Sequence, residues 1–149
     1  MFGNILRNSI PCISNITSTG FSRTFCTTQS LCEIRKLARM RVVDNSAIGR
    51  AAAAAGRPAR VIQVYNQKQV GMIGDKILVA IKGQKKKAYI VGLKQKQKPL
   101  MPRFDTNNIV LVEDNNSPTG TRIRVPIPSQ LRGQGKEFTK ILAIASKFV

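Results

Sequence analysis

Short runs of apolar and β-branched residues, each bounded by turn-forming residues, recur along the body of this 149-residue chain. The clearest run is Ile77–Ile81, which follows Gly74 and Asp75 and precedes Gly83. Five or so such runs occupy about 80 residues. A short open sheet would leave unpaired edges, so the pattern predicts a mainly β fold in which five strands close into a small antiparallel barrel.

Two parts of the body depart from this strand pattern. The stretch Ile48–Pro58 contains five consecutive alanines flanked by glycines, and we expect these breakers to stop any helix after little more than one turn, leaving an exposed loop. Near the end, Pro126 and Pro128 disfavour a central strand, Ser129–Arg132 favours a helical turn, and Phe138–Ala145 fits helix or strand. We therefore expect a short helical C-terminal part.

The first 32 residues have a different composition from the rest. They include Arg7 and Arg23, no acidic residue and ten Ser or Thr residues. Polar residues interrupt every apolar stretch, which disfavours a secretory signal and favours a mitochondrial transit peptide, although an ordinary disordered tail remains an alternative. We predict a transit peptide or disordered extension over residues 1–32, cleaved near Cys26, a folded domain over residues 33–149, and a location in the mitochondrial matrix.

Net charge is the first indication of function. The chain has 25 Lys and Arg residues against 7 Asp and Glu residues, for a formal charge of +18. Such a field attracts a polyanion, and nucleic acid is the leading candidate. No apolar run approaches the roughly 18–20 residues of a spanning helix, so we expect no membrane insertion. A merely solubilising surface is the remaining alternative, although solubility needs a net charge of only about 2–8.

Residue types that carry catalysis or bind metals are scarce. The chain has no His, and its three cysteines all lie within the first 32 residues. Asp44, Asp75 and Asp105 stand in turn contexts, where Asp commonly accepts hydrogen bonds from backbone N–H groups. The glycines match no nucleotide-binding fingerprint. The sequence therefore predicts no enzyme activity, no cofactor and no metal site.

Basic residues cluster on the segments between the predicted strands. Nine lysines and a single acid, Asp75, lie between Lys68 and Lys98. Lysines on turns of a rigid scaffold suit the phosphates of folded RNA, and arginines fork onto phosphate oxygens. Few aromatic residues interleave with the charges, which disfavours base stacking on aromatic rings. The candidate RNA-binding residues in these segments are Lys82, Lys85, Lys86, Lys87, Lys94, Lys96, Lys98, Arg103 and Arg124.

Five sequence blocks, in order, carry a resemblance to a known family. Met40–Ser46 resembles the V-x-D-N-S block of the large-subunit ribosomal protein family numbered fourteen. Val70–Ile77, Arg103–Leu111 and Pro118–Ile123 are similar to later blocks of that family, and so is the closing segment from Pro126 to Ala145. The resemblance covers the body of the chain, and the combination of blocks is far more specific than any one of them.

This resemblance implies a structural constituent of the mitochondrial large ribosomal subunit. A member of this family would bind large-subunit rRNA at the face that meets the small subunit and support mitochondrial translation. Its implied partners are neighbouring large-subunit ribosomal proteins, small-subunit rRNA across an intersubunit bridge, and a ribosome-silencing factor. By motif, Asn45 and Ser46 would belong to the RNA face, whereas Thr121, Arg122 and Lys140 would form the silencing-factor face.

Some features depart from the family pattern, and other functions stay open. Ala47 stands where the family usually has Gly, and the Ile48–Pro58 stretch is longer than in bacterial relatives. The Gln84–Lys87 segment and the presequence resemble the mitochondrial branch. The main alternative is a free RNA-binding translation or ribosome-assembly factor with a similar barrel. An RNA-modifying enzyme that uses Asp75 or Asp105, and a membrane-surface protein, are further alternatives.

Overall fold

A computed structural model describes residues 34–95, 99 and 101–149 of the chain. The transit-peptide prediction, as well as Lys96 and Lys98, lies outside these residues. The strands are β1 (Arg39–Val42), β2 (Ala59–Val64), β3 (Lys76–Ile81), β4 (Gln84–Gly92) and β5 (Asn108–Val112). The helices are α1 (Ala47–Ala54) and α2 (Thr139–Ala143), with 3-10 segments at Ser129–Gly133 and Lys136–Phe138.

The five strands form a closed barrel in the order β1-β2-β3-β4-β5. Neighbouring strands are antiparallel at four seams, and β1 pairs with β5 in parallel, with Val42 opposite Ile109. An odd number of alternating strands brings the first and the last to the same direction, so the closing seam has to be parallel. The predicted mainly β, closed five-stranded barrel is confirmed.

Aliphatic side chains fill the inside of the barrel. Met40, Val61, Val79, Ile90 and Ile109 come from the five different strands, and each is at most 1% exposed. Alternate residues of a strand point to the same face, so β1, β2 and β3 alternate buried apolar side chains with more exposed ones, whereas β5 is buried on both faces. Closure buries this set without leaving a free sheet edge.

The C-terminal residues form a second layer over the outer face of β4 and β5. Tyr89 of β4 is 1% exposed, and its ring meets that of Phe138 edge to face with 5.0 Å between centroids. Its hydroxyl donates to a carboxylate oxygen of Glu137, and burial together with this carboxylate raises the pKa of Tyr89. Leu131 and Ile141 are fully buried and belong to the same hydrophobic cluster as Tyr89 and Phe138. This layer confirms the expected short helical C-terminal part.

The alanine-rich segment is a helix, and the prediction of an exposed loop was wrong. Ser46 caps α1, because its Oγ accepts from the N–H of Gly49 at 3.1 Å. Ala52 is 2% exposed and belongs to the core. Gly49 brings α1 against β1, since a Cβ there would lie 2.6 Å from Cγ1 of Val42. The cap and this packing offset the cost of nucleating a two-turn helix, and Gly56, with φ of 63°, follows its end.

The predicted basic turn between β3 and β4 is shorter than expected. Lys82 and Gly83 alone form it, with φ of 46° and 77°, as in a two-residue type I′ hairpin. Strand β4 begins at Gln84, so Lys85, Lys86 and Lys87 are strand residues and not loop residues. Long lysine stems cover sheet surface while the ammonium stays in water, which is why a run of lysines continues a strand here.

A buried carboxylate joins β1, α1 and β5. Asp44 is 5% exposed; one oxygen accepts from the hydroxyl of Ser46 at 2.8 Å and the other from the N–H of Leu111 at 3.2 Å. Burial raises the pKa of Asp44. Asp75 similarly accepts from the N–H of Met72 at 2.9 Å. The expected backbone-binding role is confirmed for these two acids, whereas Asp105 is exposed.

A substitution at Gly120 tests how tightly the residues around Asp44 are packed. A Cβ at this position would lie 2.5 Å from Cβ of Asp44 and 2.9 Å from the backbone nitrogen of Asn45. We expect Gly120→Ala to lower the free energy of unfolding by about 1–3 kcal/mol in urea denaturation, because backbone has to move. Gly133→Ala is the control, since a Cβ there meets nothing within 4 Å. Equal stability of the two variants would contradict this packing.

The raised pKa of Asp44 predicts a specific pH dependence. Its ordinary value is 3.8, and the folded protein holds the proton above that pH. The corresponding stability is present below 3.8 and is lost as pH rises through the higher folded pKa. Compared with Asp44→Asn, which does not titrate, the wild type should lose free energy of unfolding across that window. Urea denaturation from pH 3 to pH 7 measures the difference, and an increase with pH would contradict the assignment.

Candidate nucleic-acid interface

The hairpin that joins β3 and β4 presents most of the predicted lysines. Lys82 and Lys85 are exposed, and Lys86, opposite Val79, is half-buried. Lys87 forms an ion pair with Asp114, with 2.6 Å between Nζ and Oδ1. This pair raises the pKa of Lys87 and lowers the pKa of Asp114. Lys87 is therefore partly neutralised, whereas the hairpin tip retains its charge.

The segment between β4 and β5 contributes further cations. Lys94 is exposed, and its backbone N–H donates to Oδ1 of Asn107 at 3.0 Å. Arg103 donates from Nε to the carbonyl oxygen of Lys94 at 2.8 Å, and its side chain is exposed. The bond from Arg103 fixes its guanidinium beside the backbone of Lys94.

The residues that follow β1 divide between exposed and structural roles. Asn45 accepts through Oδ1 from Nη2 of Arg124 at 3.1 Å, which brings these two predicted RNA-binding residues together. Ser46 is only 3% exposed, and its hydroxyl takes part in the hydrogen bonds to Asp44 and Gly49. Its side chain acts on the start of α1, and it is not a good candidate for direct contact with RNA.

A row of cations runs round the outside of the barrel, and the sequence reasoning had identified only its β4 member. Arg39 of β1 lies opposite Arg60 of β2, Arg60 lies opposite Ala80 of β3, and Ala80 lies opposite Lys85 of β4. Paired residues share a face, and the three charged ones are exposed. Adjacent strands are about 4.8 Å apart, so the row follows the curved surface of the barrel over roughly 14 Å of arc. We call Arg39, Arg60 and Lys85 the cationic row.

The cationic row is not neutralised within the free protein. In the part of the chain that the structure describes, none of its members forms an ion pair with an acid. Like charges directly opposite on neighbouring strands destabilise a sheet. Each arginine alternates with buried neighbours, such as Met40, which marks it as outward-facing. The sequence alone did not show which outward residues become neighbours, because that depends on register.

The residues assigned to the silencing-factor face lie on elements that contact each other. Thr121 and Arg122 are exposed and precede Ile123, which pairs with Ala145. Lys140, on α2, donates from Nζ to Oγ of Ser117 at 2.9 Å. The backbone N–H of Asn45 also donates to the carbonyl oxygen of Arg122 at 3.0 Å. The predicted RNA and protein faces therefore adjoin.

Residues 34–95, 99 and 101–149 contain no group of three or more His, Cys, Asp or Glu placed to hold a metal ion. Within those ranges, no helix has the length and apolar character needed to cross a membrane.

Comparisons with known proteins accord with this geometry. The family described as ribosomal protein L14p/L23e matches residues 33–149, which include every strand of the barrel and the whole C-terminal layer. A relative from Danio rerio, named Large ribosomal subunit protein uL14m, is 54% identical over 127 residues. That alignment covers 85% of this chain and 89% of the relative. The similarity thus extends over most of both chains.

Relief of the repulsion between Arg39 and Arg60 is measurable in the free protein. We expect Arg60→Gln to raise the free energy of unfolding by about 0.2–1 kcal/mol at low salt, because it removes a directly opposed like charge. Arg57→Gln is the control, since Arg57 is exposed but lies outside the strands. Urea denaturation at 20 mM and 500 mM salt should show the gain shrinking with salt. A loss of stability at low salt would contradict the repulsion.

Proposed function

Because the chain belongs to the ribosomal protein L14p/L23e family, we propose that it is a structural constituent of the mitochondrial large ribosomal subunit. We propose further that it binds large-subunit rRNA through the cationic row and the exposed basic residues around it. Membership of this family makes the chain a structural ribosomal protein and not an enzyme. The relative from Danio rerio is a mitochondrial large-subunit protein. The location that follows for this chain is the ribosome of the mitochondrial matrix. The transit peptide over residues 1–32 remains part of the proposal.

The observation that carries the RNA-binding proposal is the cationic row. A closed barrel holds the backbone of Arg39, Arg60 and Lys85 at fixed spacing, so binding requires ordering of these side chains but not of the backbone. Arginine forks onto phosphate oxygens, and each phosphate contact releases condensed counterions. A polyanion that covers the row also removes the repulsion between Arg39 and Arg60. The free protein is therefore arranged for a partner rich in phosphate.

Further charges widen this surface beyond the row. Lys82 lies next to the row at the hairpin tip, and Arg124 is held by Asn45 near the end of β1. Arg103 and Lys94 add a second cluster after β4. Contacts of this kind recognise the shape and phosphates of folded RNA more than its sequence. We accordingly propose recognition of rRNA backbone, with position on the ribosome determined by shape.

We place the protein at the intersubunit face, beside neighbouring large-subunit proteins and within reach of small-subunit rRNA across a bridge. Thr121, Arg122 and Lys140 would receive a ribosome-silencing factor. Their exposure on a surface supported by the pairing of Ile123 with Ala145 favours this use. Because this surface adjoins Asn45, an occupied silencing face would lie next to the RNA.

Removal of the charges of the cationic row tests the RNA-binding proposal. We expect the triple variant Arg39→Gln, Arg60→Gln, Lys85→Gln to bind large-subunit rRNA fragments more weakly. The negative slope of log K against log salt should become shallower by about 2–3. The control triple Arg132→Gln, Lys136→Gln, Lys147→Gln removes equal charge from exposed sites in the C-terminal segment. Filter binding from 50 to 300 mM salt measures both. Equal losses in the two triples would show that net charge, and not the row, determines binding.

A further inference from the structure

A groove of about 350 Å³ lies between α1 and β1. Its apolar lining includes Met40 and Val42 from β1, Ala52 and Ala53 from α1, and Val125. Ala52 belongs to the core, whereas Ala53 is exposed, and a larger side chain at Ala53 would narrow the open space. The alanine-rich composition of the helix thus has a structural consequence beyond its helix propensity.

Three arginines line the same groove: Arg41, Arg50 and Arg124. Arg41 and Arg50 are exposed, and within the described residues neither has a side-chain hydrogen bond or an ion pair. The one acid in the lining, Asp44, is buried and already binds Ser46 and Leu111. The groove therefore combines an apolar interior with an uncompensated positive charge.

We propose that this groove receives an unpaired, extrahelical nucleotide of the bound RNA, with the base against the apolar lining and its flanking phosphates on the arginines. The inference rests on the proposed RNA-binding function and assigns a second type of contact to it. Guanidinium planes stack on bases as well as bind phosphates, so aromatic residues are not required. Asn45 also lines the groove and brings amide N–H donors toward a base edge.

Charge complementarity favours a nucleotide over an apolar segment of a neighbouring protein. An apolar side chain in the groove would cover Arg41 and Arg50 and remove water from them without supplying an acceptor. Burying an unpaired charge is costly. A nucleotide supplies a flat apolar face and an adjacent phosphate in one group, so it satisfies both parts of the lining at once.

Two exposed alanines on α1 provide a matched pair of variants. Ala53 lines the groove, whereas Ala54 is the next residue of the same helix and does not line it. Ala53→Leu narrows the groove, and Ala54→Leu adds the same side chain outside it. Leucine is a good helix former, so neither change is expected to unfold α1.

The test uses three synthetic RNA duplexes and the full chain. One duplex is uninterrupted, one has a single bulged adenosine, and one has an abasic residue at the bulge. We expect the wild type to bind the adenosine bulge at least about fivefold more tightly than the abasic bulge. Ala53→Leu should lose this preference and Ala54→Leu should retain it, while all three proteins bind the uninterrupted duplex equally.

The outcomes separate this inference from the function on which it rests. Equal affinity of the wild type for the adenosine and abasic bulges would overturn the inference, and the groove would then be available to a protein partner. Retention of the preference in Ala53→Leu would overturn it as well. Salt-dependent binding to the uninterrupted duplex would leave the RNA-binding proposal standing in either case. Absence of binding to every duplex would contradict both.

Discussion

The buried carboxylate of Asp44 fixes the relative positions of the elements on which the proposed surface depends. Its two hydrogen bonds join the end of β1 to β5, through Leu111, and to the start of α1, through Ser46. Ser46 in turn caps α1, which determines one side of the groove. The adjoining Asn45 holds Arg124 on the other side. Asp44 is thus used for folding and not for binding, although the chain is strongly basic.

Barrel closure holds the outward-facing charges in fixed relative positions. Every strand is paired on both sides, so Arg39 and Arg60 cannot separate without breaking the ladder that the aliphatic core stabilises. Like-charge repulsion is consequently retained in the free protein and relieved by a phosphate backbone. The C-terminal layer covers the outer face of the barrel at Tyr89 of β4 through Phe138, whereas Lys85, nearer the start of the same strand, stays exposed. Folding contacts and proposed RNA contacts therefore occupy different positions along β4.

Local patterns were enough to predict the strands and the family, but not the tertiary arrangement of the charges. The run Ile77–Ile81 is apolar and bounded by turn residues, and it became β3 as expected. Helix α1 was missed because its stability comes from the Ser46 cap and from packing of Ala52, neither of which is a propensity of the alanine run. The pairing of Arg39 with Arg60 was missed because the register between two strands cannot be predicted from the sequence of either strand alone.

We have proposed that this chain is a permanent part of the mitochondrial large ribosomal subunit. Sucrose-gradient sedimentation of a mitochondrial lysate, in salt that separates the subunits, distinguishes a permanent subunit from a transient factor. Quantitative mass spectrometry would compare the protein with large-subunit rRNA across the fractions. We predict co-migration near one copy per large subunit. Recovery at the top of the gradient, or well below one copy per subunit, would contradict the claim and indicate a free translation or assembly factor with the same fold.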